Sequence, residues 1–217
     1  MQWMLNNKFK MKNHFSLPNS GHNFDAKGSK LGMWLFLFTE LLLFGGLFLT
    51  YLVYRNLYHE AFLQSSFHLN KWAGFTNTIV LLTSSMTVAM SIVALKKGAK
   101  NKAIWLLALT IIAAGIFMVI KYFEWSVKFE HGLFPGMDHY MSMEPGEKIY
   151  FFLYFFMTGL HGLHVIIGAV FIAVVIKKIA NSKVNKDRVS LHENAGLYWH
   201  LVDLVWIYLF PLFYLIR

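Results

Sequence analysis

Two histidine-containing pairs and a few carboxylates carry most of the chemistry open to this 217-residue chain. His161 and His164 are three residues apart, as are His200 and Asp203, and that spacing places each pair on one face of a helix. Glu40 stands alone, and Glu124 follows Lys121 by three positions. Glu40, His161, His164, His200 and Asp203 all fall inside long apolar runs. At about 1.5 Å per helical residue, Glu40 lies about 13 Å into its run and Asp203 about 12 Å into its own. With the run holding His161 and His164 passing the other way, the five share one depth band. Ionisable groups there are costly and mark sites of interest. Three chemistries are open to them. They could satisfy one another across helices and fix a bundle. His161 or His164 could ligate a haem together with His200. Glu40 and Asp203 could pass protons or ions, although no run is broken near its centre by Pro or Gly as transporter sites are.

The elements that must position these groups are five apolar stretches at 31–54, 72–95, 103–125, 149–176 and 195–216. A hydrocarbon core about 30 Å thick takes about 20 helical residues, and each stretch reaches that length. None alternates polar and apolar residues as barrel strands do. The prediction is an all-α integral membrane bundle of five transmembrane helices in one domain, 31–217, after an N-terminal tail, 1–30. The first stretch begins too late and runs too long for a cleaved signal peptide. Composition agrees: 57% of residues are hydrophobic and only 14% charged, against about 25% charged in a soluble domain. This excludes a soluble enzyme, a disordered chain and a nucleic-acid binder. The absence of Cys excludes disulfides, zinc–cysteine sites and iron–sulfur clusters. No internal repeat, phosphate loop, nucleophile elbow or zinc-protease pattern is present. Trp34, Trp72, Trp105, Trp125 and Trp199 lie near stretch ends, as an interfacial aromatic belt would. Ala169 with Ala173, and Gly159 and Gly168, could let helices approach closely. The connection 131–147, with two Pro–Gly pairs, should carry turns.

Charge sorts by side. The tail, the loop between the second and third stretches and the loop between the fourth and fifth hold fourteen Lys and Arg against Asp25, Asp187 and Glu193. The opposite side holds Arg55, Lys71, Lys128, Lys148 and Arg217 against six carboxylates, among them Glu124. By the positive-inside rule the N-terminus is cytoplasmic and the C-terminus faces out. The net charge of +9 is then a topology signal. Glu124 reads as half of an interfacial ion pair with Lys121, or as a snorkelling side chain. Arg55, at the outer end of the first stretch, is placed to meet a lipid phosphate.

Two long motifs add a resemblance. The run from Thr158 to Gly168 (TGLHGLHVIIG) and the run from Glu193 to Trp206 (ENAGLYWHLVDLVW) resemble signatures of subunit III of the haem–copper oxidases, the cytochrome c oxidase family. KLGMWLFLFTE, ending at Glu40, looks like the opening of that family's third helix; Phe75–Thr78 and Tyr122–Glu124 look like further motifs in family order. The resemblance implies a five-helix bacterial member, multi-pass in the cytoplasmic membrane. It implies a subunit with no catalytic residue, haem or metal of its own, in an enzyme whose haem and copper reside in subunits I and II. Direct packing on subunit I, bound phospholipid and support of proton uptake are implied too. Glu40, Glu124, His161, His164, His200 and Asp203 fall on family motif positions and carry over as a buried polar network or lipid-cleft residues. Seven-helix members have a lipid cleft between their first two helices and the other five, and this chain lacks that first pair. Many members also carry a Glu just before the segment matching Phe75–Thr78, where this chain has Lys71 and Trp72. The alternative is a haem-b membrane anchor of a quinone-linked oxidoreductase.

Overall fold

Apolar stretches of 20 and more residues can satisfy their backbone in lipid only by coiling into helices. The computed structural model describes residues 21–181 and 190–215, and these form no strand. The helices are α1 (Gly21–Leu57), α2 (His59–Ser66), α3 (Lys71–Lys96), α4 (Lys100–Glu130), α5 (Asp138–Ser142), α6 (Pro145–Ala180) and α7 (Ser190–Phe210), with a π-helical turn at Pro211–Leu215. Five segments are long and apolar enough to cross a membrane: Gly28–Leu57, Lys71–Lys96, Lys100–Glu130, Pro145–Ala180 and Leu191–Leu215. α1 starts at Gly21, so the last ten residues of the expected tail continue the first helix. Residues 1–20 lie outside the described residues, as do the loop cations Lys183, Lys186 and Arg188, and the terminal Arg217.

Local chemistry explains the helix ends. The Asn70 side chain accepts from Trp72 N at 3.0 Å and starts α3. α3 ends where Gly98 takes φ 82, and Gly98 N and Ala99 N return to Leu95 O and Ala94 O, both at 2.9 Å. α4 stops the same way, with Gly132 at φ 69 and bonds from Gly132 N to Phe129 O and from Leu133 N to Lys128 O. Only glycine takes that left-handed position without strain. Pro145 sits in the first turn of α6, where a missing N–H costs nothing. The connection 131–147 carries the short α5 as well as the expected turns, and α2 in the connection between the first two spans was not foreseen.

α3 and α4 form an antiparallel hairpin through the Gly98 turn. The buried residues of α3 are Gly74, Asn77, Leu81, Ser84, Val88, Ser91 and Leu95, spaced alternately by three and four. Those of α4 keep the same rhythm from Ala103 to Lys128. This is the repeat of a coiled-coil seam. α6 and α7 close a four-helix ring by packing on α4, on α3 and on each other. α1 lies outside the ring against α6 and α7. Only 17% of its apolar window is buried, against 56% for α7. α7 is thus the central element. Trp199 and Trp206 on it are fully buried, which removes Trp199 from the expected belt; Trp34, Trp72 and Trp105 are exposed at helix ends.

The close approach falls on glycine. A Cβ at Gly168 would sit 2.9 Å from the Trp199 ring and 3.1 Å from Tyr198, whereas one at Gly45 would meet nothing within 4 Å. Ala173, by contrast, is exposed. Gly168→Ala should therefore lower the thermal midpoint of the detergent-solubilised protein, by an overpacking cost of about 1–3 kcal/mol. Gly45→Ala should leave it unchanged, and equal midpoints for the two variants would refute the α6–α7 contact.

Candidate functional sites in the bundle

The repeat of α4 continues past Phe117 with Lys121, Glu124 and Lys128, so three charged side chains occupy seam positions. They point inward, at exposures of 6%, 7% and 3%. Lys121 Nζ donates to Glu124 Oε2 at 3.0 Å, to Tyr214 Oη at 2.9 Å and to Tyr154 Oη at 3.4 Å. Lys128 Nζ meets Glu124 Oε1 and the Glu124 carbonyl, both at 3.3 Å. The Tyr214 hydroxyl lies 2.7 and 2.9 Å from the two Glu124 oxygens, and the Tyr154 hydroxyl donates to Oε1 at 3.0 Å. Both ammonium groups also face aromatic rings, Lys121 over Tyr154, Trp206 and Tyr214, and Lys128 over Tyr154, at 5.1–5.5 Å. Glu124 does pair with Lys121 as expected, but as the centre of a buried cluster. The snorkelling alternative fails because the seam aims these side chains at α6 and the π-turn.

The five mid-depth groups do not form one network. His164 Nε2 lies 2.9 Å from Glu40 Oε2, joining α6 to α1. Its Nδ1 is 2.7 Å from the Leu160 carbonyl, which can only accept, so Nδ1 carries a proton. One further proton must then lie between Nε2 and the carboxylate, and the pair is neutral as a whole. His161, fully buried, turns away from it and packs between Phe117 and Trp206 with ring centroids 5.5 and 5.2 Å away. Neither of its nitrogens has a hydrogen-bond partner among the described residues. His200 Nδ1 meets Ser85 Oγ on α3 at 2.6 Å. Asp203 is buried beside Ser85, yet its oxygens make no hydrogen bond of good geometry, and no histidine pairs with it. The reason is rotational: His164 is turned toward α1, His161 toward the Phe117 and Trp206 rings, and His200 toward α3. Histidines at one depth therefore face different neighbours.

This arrangement does not suit haem. Bis-histidine ligation needs two free, facing imidazole nitrogens. His164 has both nitrogens engaged, and His161 is sandwiched by two rings.

Other polar ties were not foreseen. Buried His192 places Nε2 2.8 Å from Ser91 Oγ, a second α7–α3 bond one seam repeat from Ser84. Glu193 accepts from Lys30 of α1 at 3.1 Å and Lys96 of α3 at 2.8 Å, and Asn194 donates to Ser29 at 3.0 Å. Arg55, half-exposed, ends α1 one turn beyond Tyr51. An apolar cavity of about 350 Å³ opens between α1, α6 and α7, lined by Gly32, Phe36, Phe171, Val174, Leu191 and Tyr198 among others. None of the six residues expected in a polar network or lipid cleft lines it.

Fold and sites together define a polytopic α-helical membrane protein with polar groups satisfied between its helices. The family model for cytochrome c oxidase subunit III matches residues 16–216, and the chain belongs to that family, the subunit III family of the haem–copper oxidases. It is 31% identical over 189 residues to the cytochrome c oxidase subunit 3 of Corynebacterium diphtheriae, covering 86% of this chain and 87% of that one. It is 29% identical over 188 residues to a probable quinol oxidase subunit 3 of Staphylococcus haemolyticus, covering 87% and 89%. It is 32% identical over 193 residues to a heme-copper oxidase subunit I+III of Aeropyrum pernix, covering 85% of this chain and 22% of that protein.

Breaking a buried ion pair from one side costs about 3–5 kcal/mol. Glu124→Gln, which leaves Lys121 and Lys128 facing one another, should sharply reduce folded yield and thermal midpoint. Asp203→Asn removes a carboxylate that accepts no well-formed hydrogen bond, and should cost about 1 kcal/mol or less. A larger loss for Asp203→Asn than for Glu124→Gln would reverse this ranking.

Proposed function

We propose that this chain is the non-redox subunit III of a haem–copper terminal oxidase in a bacterial cytoplasmic membrane. It packs on subunit I, steadies it, holds phospholipid and supports proton uptake. Haem and copper belong to subunits I and II, and no catalytic or metal-ligating residue lies in this chain. The observation that carries the reading is the family match over almost the whole length. The Aeropyrum pernix protein, named as subunits I and III in one polypeptide, supports direct association with subunit I. The engaged nitrogens of His164 and the two rings enclosing His161 speak against the haem-b anchor.

The N-terminus is cytoplasmic. Lys30, Lys96, Lys97, Lys100, Lys102, Lys177 and Lys178 gather at one end of the bundle, and Glu60, Glu130, Asp138, Glu144 and Glu147 at the other. The apolar cavity suits an acyl chain. The Lys30–Glu193–Lys96 group beside it, with its excess positive charge, suits an anionic headgroup. Glu40, Glu124, His161, His164, His200 and Asp203 act as structural residues, and Arg55 holds a lipid phosphate.

The test is deletion of this chain followed by purification of the oxidase through a tag on subunit I. In the wild type the chain should co-purify. The remainder should keep its haem spectrum and some oxygen reduction. A Soret band that stays with this chain after separation from subunit I would sink the proposal.

A further inference from the structure

α7 is enclosed on three sides, by α3, α6 and α1, and its fourth side is open. His200, Leu204 and Tyr208 follow one another at intervals of four along that side. His200 is tied to α3 through Ser85, and Tyr208 meets Phe48 of α1 at 5.9 Å. The row therefore runs from the α3 side of α7 to its α1 side, with Leu204 43% exposed at its centre. His200 lies about 15 Å from the start of α7, and Ser85 about 21 Å from the start of α3, both at hydrocarbon depth. The His200 imidazole is half-buried and its Nε2 makes no bond among the described residues. Lipid tails offer such a group nothing, so a polar nitrogen held open at this depth calls for a protein partner.

Ser85 sets which ring nitrogen is left for that partner. Thr78, Thr83, Ser84, Thr87 and Ser91 each donate to a carbonyl of their own helix, whereas the Ser85 hydroxyl faces His200 Nδ1 at 2.6 Å. Ser85 thereby takes up Nδ1 and leaves Nε2 as the ring nitrogen available to a partner.

We propose that the open face of α7 between α1 and α3 is the surface that docks subunit I of the oxidase. His200 Nε2 forms a hydrogen bond there with a polar group on a transmembrane helix of that subunit. The proposal rests on the reading of this chain as subunit III and adds the face and the anchoring residue.

The experiment uses the whole oxidase, tagged on subunit I. A photoreactive amino acid is placed at Leu204, or at Ile112, an exposed residue on α4 diagonally across the ring. Illumination should join this chain to subunit I from Leu204 and not from Ile112. The reverse pattern, or labelling of lipid alone from Leu204, overturns the assignment of the face. In parallel, His200→Phe keeps a ring and loses its nitrogens, and His200→Gln restores a polar side chain. Detergent washing should strip the Phe variant from subunit I about tenfold more readily than wild type, with recovery in the Gln variant. Equal retention of all three overturns the role of His200. A wild-type chain that never co-purifies with subunit I marks failure of the subunit reading itself, and is seen before any variant is made.

Discussion

A single carboxylate at the far end of α4 is the shared counter-charge of two buried ammonium groups. Glu124 takes bonds from two ammonium groups and two phenols, and these come from α4 itself, α6 and the turn after α7. In low dielectric, each of these groups unpaired would cost several kcal/mol. The neighbouring structure is bound by the requirement that they meet. Tyr214 reaches Glu124 from the π-helical turn that begins at Pro211. Pro cannot donate a helical hydrogen bond, so the regular α7 ladder gives way there to a wider turn. Carbonyls of that turn are taken up by Tyr51 at 2.9 Å from Leu212 O and by Tyr150 at 3.4 Å from Phe213 O. One electrostatic demand thus fixes the geometry of that whole end of the bundle.

The other end is held differently. The Glu193 bridges to Lys30 and Lys96 join α7 to α1 and α3, but the lysine side chains are more than half exposed. Pairs of this kind contribute about 0–1 kcal/mol and weaken with salt. Between the ends, α3 presents Ser84, Ser91 and Asn77 to its neighbours through a seam with few large side chains. Small residues allow close backbones, and Trp199 Nε1 uses the opening to donate to Ser84 at 3.0 Å. Rigidity is therefore graded along the bundle axis, from a locked Glu124 end to a looser Glu193 end.

How much of this was legible follows the same physics. Helix number and rough bounds were plain, because lipid imposes a length and a composition that few other constraints mimic. The depth of Glu40 and the three histidines was legible too, since it needs only counting. Partners were not, because depth says nothing about which neighbour a helix face meets. His161 and His164 share a face within one turn, yet one packs on α4 and α7 rings and the other bonds to α1. The burial of Lys121, Glu124 and Lys128 could have been found. Their spacing of three and four extends the stripe Leu107, Thr110, Ala114, Phe117, and reading the stripe through the charges would have turned them inward. Tyr154 and Tyr214 gave no such signal. A tyrosine near a helix end looks the same whether it faces headgroups or a buried carboxylate.

The placement of α1 shows what membrane context changes. In water, a helix with 17% of its apolar window buried would be driven inward by the area left exposed. In lipid that force is absent, because acyl chains solvate Leu and Phe as well as another helix does. Directional bonds must then place the helix, and α1 has them at three depths. Ser29 and Lys30 bind α7 near one end, Glu40 binds His164 of α6 in the middle, and Tyr51 binds the Leu212 carbonyl at the other. Three anchors at separate heights fix position, tilt and rotation with little packing area. They also leave the outward faces of α1 and α7 free of internal partners, and that is the geometry a subunit needs if its largest contacts are to be made with another chain.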